Sequence, residues 1–436
     1  MVTKKLTLLR IGGAVVTLGL AIGLAGCSST ASTSASSSRT VVVGMNSGLV
    51  PQFQAYADLY NKTNPAGKVK LKAIPDAPAD YIQQLVTQGL SGTLPDVVFN
   101  YDSLNQQLAE SNLLYNIKPW LTEGKDGLKG SDFVPAFLNQ YVADAKTGAI
   151  GGIPVSADST MLFYNKTVFE KAGITDLPTD NWTWQDLYKV AKEISAKGTG
   201  QYWGLETPFG TGDANFINYP FLKAGGSSIY DANTKKFDFA NTKGIAVWKT
   251  LLQPFTDGFG TPPTSGKSVD YFAAGQAAMH LDTRPAIARY RTGLKDDWDV
   301  INLPTLDGNP TVGGGSYGLS ISAKSTNKDN AWKFLAWFFA TNKGMKAAEP
   351  NGVIPATSDG IKNGSWRTDT TPVPKNLIPA TVYAVKNAAL PPAIPNAAAS
   401  QLSPALQKAE QEVLVGGKSV EDAYTEAQAT LNALVK

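Results

Sequence analysis

Short apolar runs and helically spaced apolar residues take turns along the chain after position 39. Residues 40–45 (TVVVGM), 69–74 and 95–99 are β-branched or apolar runs of strand type. Between them, residues 51–63 place Phe53, Tyr56, Leu59 and Tyr60 at helical spacing, and residues 81–89 predict a short helix with Gly89 as its stop. This β-α-β-α-β order predicts an α/β body around a mainly parallel sheet. Ligands of such sheets sit beyond the carboxyl ends of the strands, here Asn46-Ser47 and Asn100-Tyr101-Asp102-Ser103. Further on, Thr183 and Asp186 fit a capping box for a helix at 184–197, whose Leu187, Val190, Ala191 and Ile194 form one apolar face. Residues 202–207 predict a strand, and 208–218 (PFGTGDANFIN) a Gly/Asn-rich loop. An aromatic-rich helix is expected at 328–341, and a last helix from Ser419, capped through Asp422.

Residues 152–166 (GIPVSADSTMLFYNK) break this rhythm. Pro154 has no N–H to donate, so a regular strand is not expected to run through it. Small and polar residues follow from Ser156 to Ser159, and then the apolar run Met161, Leu162, Phe163, Tyr164. The stretch reads as a crossing, with one folded body ending near Gly152 and another starting near Thr160. G-I-P, a polar segment with an acid, and an apolar run ending in Y-N-K and F-E-K-A-G resemble the first interdomain crossover of bacterial ABC-transporter extracellular solute-binding proteins of family 1, the carbohydrate binders related to maltose-binding protein. LPDVVFNYDS at 94–103, a helix ending in Gly-Gly at 219–226, GQAAM at 275–279, the aromatic helix at 328–341 and NGVIPAT at 351–357 resemble the same family, in the same order. Thr283, Arg284 and Pro285 stand where many members carry Gly-Trp.

The resemblance implies an α/β, two-domain periplasmic-binding-protein-like (type II) fold with three interdomain crossings and a central ligand cleft. The crossings are expected near 152–160, 304–312 and 351–357. They would give an N-terminal α/β domain of 40–153 plus 305–350 and a C-terminal one of 154–304 plus 351–436. The implied role is that of a monomeric receptor, not an enzyme and without a cofactor. It would close on a carbohydrate and deliver it to the transmembrane permease subunits of an ABC importer.

Length and composition agree with this reading. A chain of 436 residues suits two domains, and 43% hydrophobic with 17% charged residues suits a folded, soluble body. The net charge of +3 includes no long basic block, so neither nucleic acid nor anionic lipid has an obvious handle. One cysteine excludes an internal disulfide. The lone His280 argues against zinc, while an all-oxygen calcium site stays open.

Residues 1–27 read as a targeting segment. Lys4, Lys5 and Arg10 precede a glycine-interrupted apolar run at 11–26 that is shorter than the roughly 20 residues of a membrane span. The segment ends in Leu24-Ala25-Gly26-Cys27, which resembles a bacterial lipobox and implies lipidation of Cys27. The alternative is an ordinary secretory signal with an incidental cysteine. Residues 28–39 are almost all Ser, Thr and Ala, a flexible tether reaching roughly 35–40 Å at about 3.5 Å per residue.

A sugar needs acids or amides for its hydroxyls and aromatic faces for its C–H surface. Candidates at the mouths of the two domains are Asn46, Asn100, Asp102 and Tyr317 from the first, and Asp158, Asn215, Phe216, Arg284 and Trp366 from the second. Asp158 ranks first, because it matches the acidic position of the family's crossover loop. Four have a plainer alternative: a turn aspartate for Asp158, a helix-starting Asp102, an Arg284 paired with Asp282 at the surface, and Trp366 as a loop anchor. His280, in the apolar run AAMHL, is expected to be a packed strand histidine. Gly313-Gly314-Gly315 lacks the Lys-Ser/Thr of a phosphate loop, and GGGSY at 313–317 lacks the last glycine of a nucleophile elbow. Arg284 also leaves room for an anionic solute such as glycerol phosphate or a uronic acid, since guanidinium suits phosphate and carboxylate. The competing readings are a secreted glycosidase or esterase, whose carboxylate pair no motif reveals, and a polymer-binding adhesin that would not close.

Overall fold

The computed structural model describes residues 40–435, apart from 65–66, 76–77, 207–213, 263–268, 341–342, 345–353 and 369–373. Cys27 and the tether therefore lie outside the described residues. The body opens with β1 (Val41–Asn46), α1 (Val50–Thr63), β2 (Val69–Ile74), α2 (Pro78–Ser91), β3 (Val97–Tyr101) and α3 (Asp102–Glu110). β1 lies between β2 and β3, parallel to both. The apolar spacing of α1 explains its seat, since Phe53, Tyr56 and Tyr60 are buried against the sheet's core. Gly89 does not stop α2, which continues to Ser91; Gly92, at φ 72°, ends it instead.

The chain then reaches β4 (Ile153–Pro154) and, three residues on, β5 (Asp158–Asn165). Pro154 is tolerated because β4 is a two-residue edge strand, paired on one side only through Gly318 and Leu319. β5 is the second strand of another sheet. α4 (Trp184–Gly198), β6 (Trp203–Glu206), α5 (Thr242–Thr256), β7 (Ala277–Thr283) and β8 (Trp298–Ile301) complete it in the order β8-β5-β7-β6. β5 alternates strictly: Leu162 and Tyr164 enter one core, Met161 and Phe163 the opposite one, so the sheet is covered on both faces. The capping box of α4 is formed, with Asp186 N–H donating to Thr183 Oγ1 at 3.2 Å and Thr183 N–H to Asp186 Oδ2 at 2.9 Å.

The return to the first sheet runs through β9 (Gly314–Gly315) and β10 (Tyr317–Ile321). β9 pairs with β5, and β10 lies antiparallel between β3 and β4. The passage thus lies at Ser316, not at 304–312. LPTLDG is a tight hairpin, its turn made by Asp307 at φ 50° and Gly308 at φ 78°. Leu303, Leu306 and Val312 stay in the second sheet's core. The third segment, 354–357, runs beside the first: Ala157 N–H donates to Ile354 O at 3.0 Å and Ala356 N–H to Val155 O at 3.3 Å. On the other side, Val155 N–H donates to Tyr317 O at 2.7 Å. Three passages between the sheets therefore lie side by side.

Four further helices matter for the cores and the cleft: α6 (Lys328–Phe339), α7 (Leu377–Asn387), α8 (Asn396–Leu414) and α9 (Val420–Leu434). α6 joins the first core through Trp332, Leu335 and Phe338. α8 and α9 close the second, where Tyr424 stacks on Trp248 with ring centres 4.1 Å apart. Asp422 N–H donates to Ser419 Oγ at 3.0 Å, the expected cap of α9. No described helix is long and apolar enough to cross a membrane.

Candidate ligand-binding site

A cavity of about 740 Å³ opens beside the passages, and residues from the bodies around both sheets, here called the two lobes, line it. The first lobe supplies Asp102 and Gln106, one turn apart on α3, with Asn139 and Gln140 from the segment before β4. The second supplies Phe216 and Tyr219, and the loop between α7 and α8 adds a wall from Leu390 to Ile394. Lys223 is the cation in this lining. The floor is tied across the lobes, as the Gln140 amide donates to Pro391 O at 3.2 Å.

Asp102 sits at the first turn of α3, where the exposed N–H groups favour an acid. One carboxylate oxygen accepts from Ser103 N–H at 2.6 Å and the other from Ser316 N–H at 2.8 Å. It therefore starts its helix and also faces the cleft. Phe216 comes from a helical turn, Ala214–Asn218, that also contains Asn215. Its ring lies so close to Gly315 that a β-carbon there would come within 2.9 Å of it, and within 3.0 Å of Asp102 Oδ2. Gly315 is what lets the acid and the aromatic face approach each other.

A second group gathers at the passages, around Asp158. The acid is the first residue of β5, paired with Gly315, so its backbone is regular strand and not an irregular loop. Ser156 Oγ donates to Asp158 Oδ2 at 2.8 Å. Burial pushes the Asp158 carboxyl up to about 6, against the Ser156 hydrogen bond and the Arg284 charge, which both pull it down. Tyr317 is raised above its ordinary value by burial first and by the Asp158 charge second. Tyr141, buried between the passages, donates to Asn100 O and Ser316 O, each at 3.2 Å. Burial, then the Asp102 and Asp158 charges, raise its pKa as well.

Arg284 is 7% exposed, so it is not a surface partner of Asp282. Asp282 instead accepts from Arg289 Nη2 at 2.8 Å and from Tyr290 OH at 3.1 Å. Trp366, read from a polar stretch, is 2% exposed and donates from Nε1 to Gly360 O at 2.9 Å. It is a buried anchor, and Arg284 and Arg367 lie over its ring at 5.6 and 5.4 Å from the centre. Asn46 and Asn100 are also buried. Asn46 Oδ1 accepts from Tyr101 OH at 3.3 Å, and Asn100 donates to Asn105 Oδ1 at 3.1 Å and Ser320 Oγ at 2.9 Å. These two amides brace the carboxyl ends of β1 and β3. His280 packs in β7, with Nδ1 3.1 Å from Glu206 O.

Of the nominated residues, Asp102 and Phe216 line the cavity, while Asp158, Arg284, Tyr317 and Trp366 cluster at the passages. The sequence reading missed Gln106, Gln140, Tyr219, Lys223 and the wall at 390–394. The proline-rich string LPPAIP at 390–395 was the one available signal for that wall. Among the described residues, no group of three His, Cys, Asp or Glu side chains is placed to hold a metal ion.

Residues 46–344 match the sequence profile of the bacterial extracellular solute-binding proteins. The chain belongs to that family. This solute-binding protein is therefore a transport receptor and not a catalyst. It is 22% identical over 332 residues to the sn-glycerol-3-phosphate-binding periplasmic protein UgpB of Escherichia coli, covering 72% of this chain and 73% of that one. An ABC substrate-binding protein of Listeria monocytogenes, solved with cycloalternan, superposes with a TM-score of 0.75 at 22% identity, covering 90% of this chain and 98% of the other. The sugar-binding protein MalE of Xanthomonas citri gives a TM-score of 0.77 at 19% identity over 91% and 97%. The fold is thus the α/β periplasmic-binding-protein fold with two mixed sheets.

Proposed function

We propose that this solute-binding protein captures a neutral oligosaccharide between its two lobes and passes it to the permease of an ABC importer. The observation that carries the reading is the lining of the cleft, where carboxylate and amide groups of one lobe face the Phe216 and Tyr219 rings of the other. Acids and amides suit hydroxyls, and rings suit the C–H face of a sugar. The sugar-binding neighbours support the same class. A bound solute touching both lips favours the closed arrangement, because only unequal contact with the two states shifts their balance. We take the lobes as 40–153 with the return strand and its helix, and 154–304 with 351–436. The Cys27 lipid would hold the whole at the outer face of the cell membrane.

A second reading is favoured by the cations Arg284, Arg367 and Lys223 and by the likeness to UgpB: an anionic solute such as glycerol phosphate or a uronic acid. A thermal-shift screen separates the two. Linear and cyclic maltodextrins are expected to raise the melting temperature, since a ligand of the folded state stabilises it. X-ray scattering with the best sugar should show a smaller radius of gyration, and chromatography of the incubated sugar should show no turnover. Stabilisation by glycerol phosphate alone, with none by any sugar, moves the conclusion to the second reading.

A further inference from the structure

The sequence holds no long basic block, but the fold lays one lysine-rich stretch along a sheet edge. Among the described residues β2 is the outer strand of the first sheet, with no strand paired along one of its edges. Lys70 and Lys72 lie two residues apart along it, Lys68 comes directly before it at the same spacing, and all three are exposed. Lys62 at the end of α1 is exposed too, and residues 61–74 contain four lysines and no acid. Lys324 adds a fifth: it donates to Gly89 O at 3.2 Å while Lys72 donates to the adjacent Gln88 Oε1 at 3.1 Å. The body as a whole is not basic. Residues 1–39 hold four of the 39 basic residues and none of the 36 acids, which leaves the remainder one charge negative.

The chain also enters the body at this patch. Val41 N–H donates to Lys68 O at 2.8 Å, so Thr40 lies beside Lys68. Residues 28–39, extended, reach roughly 40 Å at about 3.5 Å per residue, so a lipid at Cys27 would confine the patch to the neighbourhood of the bilayer. The foot of the tether is at the amino ends of β1 and β2, while the cleft lies at the carboxyl end of β3.

We propose that the lysine edge of β2 is a membrane-facing surface that binds anionic phospholipid headgroups. It would hold the tethered receptor with its cleft turned away from the bilayer while it waits for solute. Each lysine near an anionic surface contributes roughly a fivefold gain in partitioning.

The orientation rests on the lipid anchor at Cys27, but the test does not. Residues 38–436 form one compact unit, so a chain starting at Ser38 is suitable. It is mixed at low salt with phosphatidylglycerol or phosphatidylcholine vesicles and sedimented. Binding to the first and not to the second is expected, with loss on adding salt. Lys68→Glu, Lys70→Glu, Lys72→Glu together should lower the bound fraction at least about tenfold. The matched reversal of Lys189, Lys236 and Lys249, exposed on the second lobe, should leave it unchanged. Melting curves show that both variants fold. Equal binding to the two vesicle types, no binding to either, or equal loss in the two variants would overturn the proposal.

Discussion

Asp158 and Gly315 stand opposite one another in the antiparallel pair that ties the second sheet to the return strand. The pairing puts a recessed acid on one side of the passages and, through Gly315, an aromatic ring and a second acid on the other.

Asp158 should make folding pH-dependent. Its carboxyl is raised from 3.8 to about 6 by burial. Below the unfolded value it is protonated in both states. Between the two values the folded state holds a proton that the unfolded state has lost, so stability falls as pH rises. Above about 6 the full penalty is present, with a ceiling of ~3 kcal/mol. Asp158→Asn without solute should therefore be the more stable protein at pH 7, with the difference vanishing towards pH 4. Denaturant melts at four pH values check this. The same variant should bind a hydroxyl-bearing solute about 10- to 150-fold more weakly, from ~1.5–3 kcal/mol for a charged acceptor. A stability loss with unchanged affinity would make Asp158 a structural residue and not a ligand contact.

Gly315→Ala should damage binding without removing any polar group. The new methyl would meet the Phe216 ring at 2.9 Å and Asp102 Oδ2 at 3.0 Å, so one of them must move. A loss of affinity of about tenfold or more, ~1.4 kcal/mol, is expected in a calorimetric titration with the solute found by the screen. Unchanged affinity would place the solute away from this wall.

The regular elements were legible because their apolar periods are strong. The cap of α4, the aromatic face of α6 and the parallel order of β1, β2 and β3 all follow from local patterns. What was not legible depends on partners far along the chain. Asp158 reads as irregular because Pro154 and Ser156 precede it; it becomes strand because a run of three glycines comes alongside. Trp366 sits in a polar string, and only the doubling back of helix Ser358–Asn363 gives its N–H an acceptor and its ring a cover. α8 holds five alanines in 19 residues, whose weak hydrophobicity blurs the helical period, so the cleft wall just before it went unread.

Cys27→Ser should free the protein from the membrane. The expectation rests on the Leu-Ala-Gly-Cys spacing. Expressed at full length in a bacterium, the unsubstituted chain should partition with membranes and carry an acylated N-terminus by mass spectrometry. The variant should do neither, while binding solute with the same affinity. Membrane attachment that survives the substitution would point to another anchor.

The side-by-side passages also set an order of events as the protein is made. β10 fills the gap between β3 and β4, and Asn100 bonds Ser320 from 220 residues away. The first sheet therefore cannot close until most of the polypeptide has been synthesised, since a pairing this distant waits for its partner. A nascent chain engaged with an export channel keeps its leading portion unfinished until then. The architecture that lays the passages side by side thus also postpones its own completion, which suits a protein that is exported before it folds.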